Sequence, residues 1–142
     1  MLRVFDANGD DVGIFAGQQD MFILWVYLQG FEALTNINVQ DGEISRFDSA
    51  LFYWESTNCT GLAYSVFPAR LLRVLHRGRL EFVVTEPGTT VVTVQSEAGG
   101  PLPIASECNP ATVRPLNLSP ATVIDPIDPF PAPLYVAPAP AP

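Results

Sequence analysis

The sequence predicts an all-β protein: an antiparallel sandwich or barrel-like domain followed by an extended, proline-rich C-terminal tail. Short runs rich in aromatic and β-branched residues recur about every 8–12 residues, with turn-forming residues between them. No stretch shows a convincing long helical pattern. The 142 residues are enough for one domain to bury a core without metals.

The first elements predicted are a hairpin and a buried strand. Leu2–Phe5 and Val12–Phe15 flank Asn8-Gly9, a strong hairpin signal because both of its residues tolerate positive φ. The chain thus starts almost inside a strand, as expected of a domain taken from a longer protein or of one delivered without a signal peptide. The uninterrupted apolar run 21–28 predicts a central strand covered on both faces. A short strand is expected around residues 37–39.

Two further hairpins are predicted in the middle of the chain. The runs 51–54 and 62–67 flank a segment rich in Ser, Thr, Asn and Gly, which is typical of a turn. Residues 70–77 have leucines at helical spacing, but Gly78 and the following run 79–84 favour a hairpin over a helix.

The C-terminal third predicts two strands followed by a proline-rich segment. Residues 90–94 alternate as a strand, and 112–116 form an edge strand, where proline is tolerated. We place a β domain at residues 1–118 and an extended tail at residues 119–142, where eight prolines favour polyproline II. Apolar residues between these prolines predict docking on a protein surface, most readily that of a neighbouring subunit.

Cys59 and Cys108 are the two cysteines of the chain, and both lie in turn-like segments. We expect them to form a disulfide, which would place the protein in an oxidising, extracellular compartment. Two buried, independent thiols are the alternative.

The charge of the chain bears on its partners. A formal net charge of −8 and the absence of lysine argue against nucleic acid and anionic lipid. No run approaches the roughly 20 apolar residues of a transmembrane helix, so we expect no membrane insertion.

Four arginines cluster between Arg70 and Arg79. They form either a solvated strand pair or an anion site, with Arg73 and Arg77 as the candidate ligand contacts.

The sequence contains no residue pattern typical of a catalytic site or of a metal site. His76 is a single histidine between arginines, and the cysteine spacing is not that of a zinc site. Glu55, Glu81 and Glu86 provide carboxylates, but a surface role is the simpler interpretation in an acidic domain. We therefore expect no enzyme and no cofactor. The aromatic residues Tyr53, Trp54 and Tyr64 pack in the core or form a stacking platform for a carbohydrate.

Two segments together carry a family resemblance: Val4-Phe-Asp-Ala-Asn-Gly9 with Val12-Gly13, and Phe52-Tyr-Trp-Glu-Ser-Thr-Asn-Cys-Thr-Gly-Leu-Ala-Tyr64. Over about residues 2–116 the chain resembles bacterial and phage β domains that lie behind collagen-like or tail-fibre-like stalks, as heads or tips. Asn58 and Trp54 stand where that pattern has aspartate and a second tyrosine. Asn serves as well as Asp in a turn. The proline-rich tail lies outside the pattern.

The resemblance implies a non-enzymatic fibre or appendage domain, exposed on a virion or cell surface and used in attachment to a surface glycan or protein receptor. A homotrimer would hide the edges of its sheets. One alternative is a structural subunit of a filament or capsid whose tail binds neighbouring subunits. The other is a carbohydrate-binding module.

Overall fold

A computed structural model describes residues 1–47 and 50–140. In chain order its strands are β1 (Leu2–Phe5), β2 (Asp11–Gln18), β3 (Ile23–Leu28), β4 (Ala33–Asn38), β5 (Arg46–Phe47), β6 (Phe52–Trp54), β7 (Ala63–Ser65), β8 (Leu71–His76), β9 (Arg79–Thr85), β10 (Thr90–Ala98), β11 (Asn109–Ile124) and β12 (Tyr135–Pro138). The all-β class is confirmed. Within the described ranges no helix is long and apolar enough to span a membrane.

The chain divides into two compact units with boundaries other than those predicted. The first unit joins Met1–Ser45 to Ile127–Pro142, and the second is Arg46–Pro126. Residues 141 and 142 of the predicted tail lie outside the described part of the chain.

The first unit is an antiparallel sheet in the order β12-β1-β2-β3-β4. The predicted hairpin between β1 and β2 is present, and a carboxylate organises its turn. Asp6 Oδ1 accepts hydrogen bonds from the backbone N–H groups of Asn8 (2.8 Å) and Asp10 (3.0 Å). Gly9 takes a positive φ of 82°.

The apolar run 21–28 departs from the prediction of a strand covered on both faces. β3 lies in the interior of the sheet, but its side chains alternate between buried (Leu24, Val26, Leu28) and half-buried. Met21 and Phe22 precede the strand and are exposed. One face of β3 therefore faces the core, as is usual in an antiparallel sheet.

The second unit contains a seven-stranded sheet in the order β10-β6-β7-β11-β9-β8-β5. β10 also pairs with β11, so that β10, β6, β7 and β11 form a closed ring of strands. β5 pairs with β8 in parallel, whereas the other pairings are antiparallel. Residues 71–85 form a hairpin, as predicted over a helix.

The boundary predicted between residues 118 and 119 falls inside β11. Pro115 and Pro120 both lie within this 16-residue strand, although proline is usually confined to edge strands. Its first half pairs with β10 and its second half with β7 and β9. Leu118 and Ser119 are fully buried where the strand changes partners.

Candidate functional site

Three connections of the second unit are joined to one another by specific contacts. We call them the loop cluster: residues 55–62 between β6 and β7, residues 77–78 between β8 and β9, and residues 99–108 between β10 and β11. Loops that a rigid sheet positions in this way are where binding residues are disproportionately found.

A disulfide between Cys59 and Cys108 joins the first loop to the third, with a Cα–Cα distance of 5.9 Å. The prediction of this bond is confirmed, and the alternative of two independent thiols is wrong. Cys59 is buried and has a positive φ of 55°. The bond fits an oxidising compartment.

Hydrogen bonds hold the Cys59 turn against β10. The Cys59 N–H donates to Ser96 Oγ (3.0 Å), and the Ser96 hydroxyl donates to the Ser56 carbonyl (2.6 Å). Ser56 Oγ in turn donates to the Thr60 carbonyl and accepts from the Thr60 N–H, both at 2.9 Å. The Ser, Thr and Asn residues that predicted a turn thus satisfy its backbone groups.

The third loop is also tied to the turn between β8 and β9. Arg77 Nη2 donates to the Leu102 carbonyl (3.0 Å), and its Nε lies 3.5 Å from Glu107 Oε1. Arg77 and Gly78 both have positive φ, at 51° and 73°, which is the backbone of a type I′ hairpin turn. Arg77, a predicted ligand contact, therefore fixes a neighbouring loop.

His76 and Glu107 form the more buried part of the contact between the β8–β9 turn and the third loop. The buried His76 Nε2 lies 3.4 Å from Glu107 Oε2, and a Cβ on Gly100 would overlap the imidazole ring. Sequence reasoning did not select Gly100 or Glu107. The signals available were the pair Gly99-Gly100 and the position of Glu107 beside a cysteine, and neither identifies its partner.

The predicted aromatic platform is buried. Trp54 is only 1% exposed and packs in a core cluster with Cys59 and Leu72, so it belongs to the core and not to an open surface. Tyr53 and Tyr64 face each other across β6 and β7 in a second buried cluster. Because β6 and β7 have three residues each and all six are buried, these rings pack against other strands on both faces of the sheet.

Tyr64 retains a polar contact at its buried position. Its hydroxyl donates to Glu55 Oε1 at 3.1 Å. Burial, followed by this hydrogen bond and the charge of Glu55, raises the pKa of Tyr64 above 10.0. Glu55, considered as a catalytic carboxylate in the sequence, thus has a structural partner.

The arginines of β8 lie within the sheet. Arg73 is half-buried, and its register partner on β5 is Arg46. Arg70 lies with its guanidinium 5.6 Å from the centre of the Phe67 ring, and burial lowers the pKa of Arg70 from its ordinary value. Arg70 lies beside Phe67 and Arg77 contacts Glu107, so these two arginines have different partners. The anion site with Arg73 and Arg77 stays a prediction.

The loop cluster exposes polar side chains, such as Thr57, Asn58 and Thr60, together with apolar ones. Leu62, Leu102 and Ile104 are 50%, 53% and 47% exposed. A separate cleft of about 230 Å³ lies between β9 and β11, lined by Leu80, Glu81, Phe82, Val123 and Ile124 among others. Among the residues that the structure describes, no group of three or more His, Cys, Asp or Glu could hold a metal ion.

Comparison of the chain with protein-family models, with curated proteins and with solved structures found no match. The resemblance to fibre-associated β domains therefore stays a prediction from the sequence.

Proposed function

We propose that this chain is a non-enzymatic domain of a fibre or other appendage, with an antiparallel sandwich or barrel-like head, used in attachment. The observation that carries the proposal is the loop cluster, in which a disulfide and the Arg77 contacts join three loops of one unit. An attachment surface gains affinity when its loops are fixed before binding, since less conformational entropy is then lost.

The side chains that the cluster exposes suit contact with a partner. Leu62, Leu102 and Ile104 project from loops whose backbone is held by the contacts described above. Apolar side chains on fixed loops can contact a partner with little further loss of backbone entropy. The partner we propose is a surface glycan or a protein receptor.

The location we propose is the surface of a virion or a cell. A disulfide persists in oxidising surroundings and is rare in the cytosol. An acidic chain of net charge −8 and without lysine suits a soluble surface domain that does not bind nucleic acid.

We further propose a homo-oligomer, with a trimer favoured, because association would cover sheet edges.

The experiment measures attachment directly. Fluorescent beads coated with the protein are applied to a glycan array and to a panel of intact bacterial and eukaryotic cells. Binding to one surface should saturate, and Leu102→Asp and Ile104→Asp should weaken it. Val113→Asp is the matched control, since Val113 is 64% exposed on β11 outside the loop cluster. Absence of saturable binding, or equal loss in the control, would contradict the proposal.

A second candidate function is a structural subunit of a filament or capsid. The observation that favours it is the composition of the first unit, where residues 127–140 contribute the edge strand of a sheet formed by residues 1–45. Such a segment can join chains if it binds a neighbouring copy. Light scattering over a range of protein concentrations tests for the assemblies that this function requires.

A further inference from the structure

The C-terminal segment, residues 127–140, completes a sheet whose other four strands come from the opposite end of the chain. β12 pairs antiparallel with β1 over four residue pairs, from Leu2 with Pro138 to Phe5 with Tyr135. The 81 residues of the second unit, Arg46–Pro126, separate the two parts in sequence. The first unit therefore depends on a segment that the chain supplies from a distance.

Backbone hydrogen bonds fix the segment along its length. Phe130 N–H donates to the Gly42 carbonyl and Leu134 N–H to the Val39 carbonyl, both at 2.9 Å. In the other direction, the Ala7 N–H donates to the Pro131 carbonyl, also at 2.9 Å. These bonds lie outside the β12 ladder, so the segment is held before the strand begins.

Side-chain contacts cover the same region. Leu134 is 6% exposed, and the Tyr135 ring stacks on Phe5 with centroids 5.6 Å apart. Without the segment, the outer edge of β1 would present unpaired backbone groups beside an uncovered Phe5. Such an edge is a template for pairing with another strand.

We propose that the C-terminal segment is exchanged between copies of this chain, so that the β12 of one copy pairs with the β1 of another. This inference rests on the structural-subunit function proposed above as the second candidate. A second copy offers the same residues Phe5, Val39 and Gly42, and exchange therefore reproduces every contact of the segment. Exchange around a closed ring of three copies would give the trimer, and exchange without closure would give a filament.

The connector before the segment suits this exchange. Asp125-Pro126-Ile127-Asp128-Pro129 contains two prolines, which fix φ and limit the entropy lost when an extended connector is ordered. Pairing within one chain benefits from an effective concentration on the order of 1 mM. Dilution should therefore favour pairing within the chain, and the high local concentration of an assembly should favour exchange.

The experiment uses two variants of the full chain, Leu2→Cys and Pro138→Cys, each of which adds one cysteine to the native Cys59–Cys108 disulfide and which replace opposite residues of β1 and β12. Opposite residues on neighbouring strands lie within the Cα range of a disulfide. The two variants are mixed at high concentration, incubated, oxidised mildly and separated without reduction. A disulfide-linked heterodimer can arise from this pair of positions only when β12 of one chain lies on β1 of the other or when chains collide at random.

The control measures random collision. Leu2→Cys is mixed with Val113→Cys/Pro138→Ser, whose cysteine is exposed on β11 and which lacks the same proline, so that any association caused by the loss of Pro138 occurs in both mixtures. We expect the Leu2→Cys and Pro138→Cys mixture to give about tenfold more heterodimer than the control, since paired strands hold the thiols together.

The double variant Leu2→Cys/Pro138→Cys distinguishes failure of the exchange from failure of the structural function, because its oligomeric state and the position of its cross-links are measured together. Oligomers in which every cross-link lies within one chain would overturn the exchange and leave the structural function standing. Protein that stays monomeric at all concentrations, with cross-links only within the chain, would overturn both.

Discussion

Gly42 and Phe130 meet through their backbones in the first unit. The Phe130 N–H donates to the Gly42 carbonyl at 2.9 Å, and a Cβ on Gly42 would overlap the Phe130 carbonyl oxygen. Gly42 also has a φ of +73°. This glycine is needed both for its backbone conformation and for the approach of the C-terminal segment.

Gly42→Ala should therefore destabilise the first unit. A left-handed φ at a non-glycine residue costs about 1–3 kcal/mol, and displacement of Phe130 adds to that cost. Gly30→Ala is the matched control, because nothing lies within 4 Å of a Cβ at Gly30. Denaturant unfolding measures both variants, and equal stability of the two would show that neither the left-handed φ of Gly42 nor the approach of Phe130 matters for stability.

Removal of the disulfide should lower stability strongly. A cross-link between residues 49 apart in sequence restricts the unfolded chain by about 4 kcal/mol in the loop-entropy model. The double variant Cys59→Ser/Cys108→Ser should unfold at a lower denaturant concentration than the oxidised protein. Wild-type protein treated with reductant is the control and should match the variant. Unchanged stability in both would mean that the loops hold together without the bond.

Local signals in the sequence predicted much of this fold. Asn8-Gly9 and Arg77-Gly78 lie at hairpin turns, and the strands on either side of them were predicted from their apolar runs. Cys59 and Cys108 were predicted to pair because the chain has no other cysteine. Each of these predictions depends on a few adjacent residues or on a simple count.

Predictions that depend on distant partners were less successful. β12 pairs with a strand 130 or more residues earlier, and the prolines around it predict an extended tail when only neighbouring residues are considered. Trp54 was a candidate for ligand contact because composition does not reveal which strands cover it. Glu107 gains its role from His76 and Arg77, which only the folded chain brings to it.

The raised pKa of Tyr64 predicts a loss of stability in alkali. The neutral hydroxyl is favoured in the folded state by burial and by Glu55, so unfolding is accompanied by proton release above the unfolded pKa of about 10. The contribution of Tyr64 is thus fully present below pH 10 and falls as pH rises through the higher folded pKa. Denaturant unfolding at pH 8 and at successive values above 10 measures this slope.

Tyr64→Phe should remove that part of the alkaline slope, at a cost of about 1 kcal/mol near neutral pH for the lost hydrogen bond. Glu55→Gln keeps the tyrosine but removes the charge, and it should move the pKa of Tyr64 back toward 10.0. Absorbance titration of the phenolate reports the pKa directly. An alkaline slope that is the same in Tyr64→Phe as in the wild type would rule out this residue as its source.

The outer edge of β12 predicts how the sheet of the first unit avoids further pairing. The Ala139 N–H donates to the Met1 carbonyl at 3.0 Å, so Ala139 directs its donor toward β1. Because successive N–H groups along a strand point to opposite sides, residues 138 and 140 would direct theirs away from β1. Both are prolines and have no N–H to offer. Proline at such positions blocks strand addition at a sheet edge.

Pro138→Val/Pro140→Val should therefore restore two outward donors and promote association of the protein through β12. The matched control is Ala137→Val/Ala139→Val, which adds β-branched residues to the same strand at positions whose N–H groups already face β1. Static light scattering and thioflavin fluorescence at equal concentrations compare the two variants. We expect growth of large species in the proline variant and little in the control, because only the former gains backbone hydrogen-bond donors. If the two variants associated to the same extent, side-chain β-propensity would account for the effect and the missing donors would not.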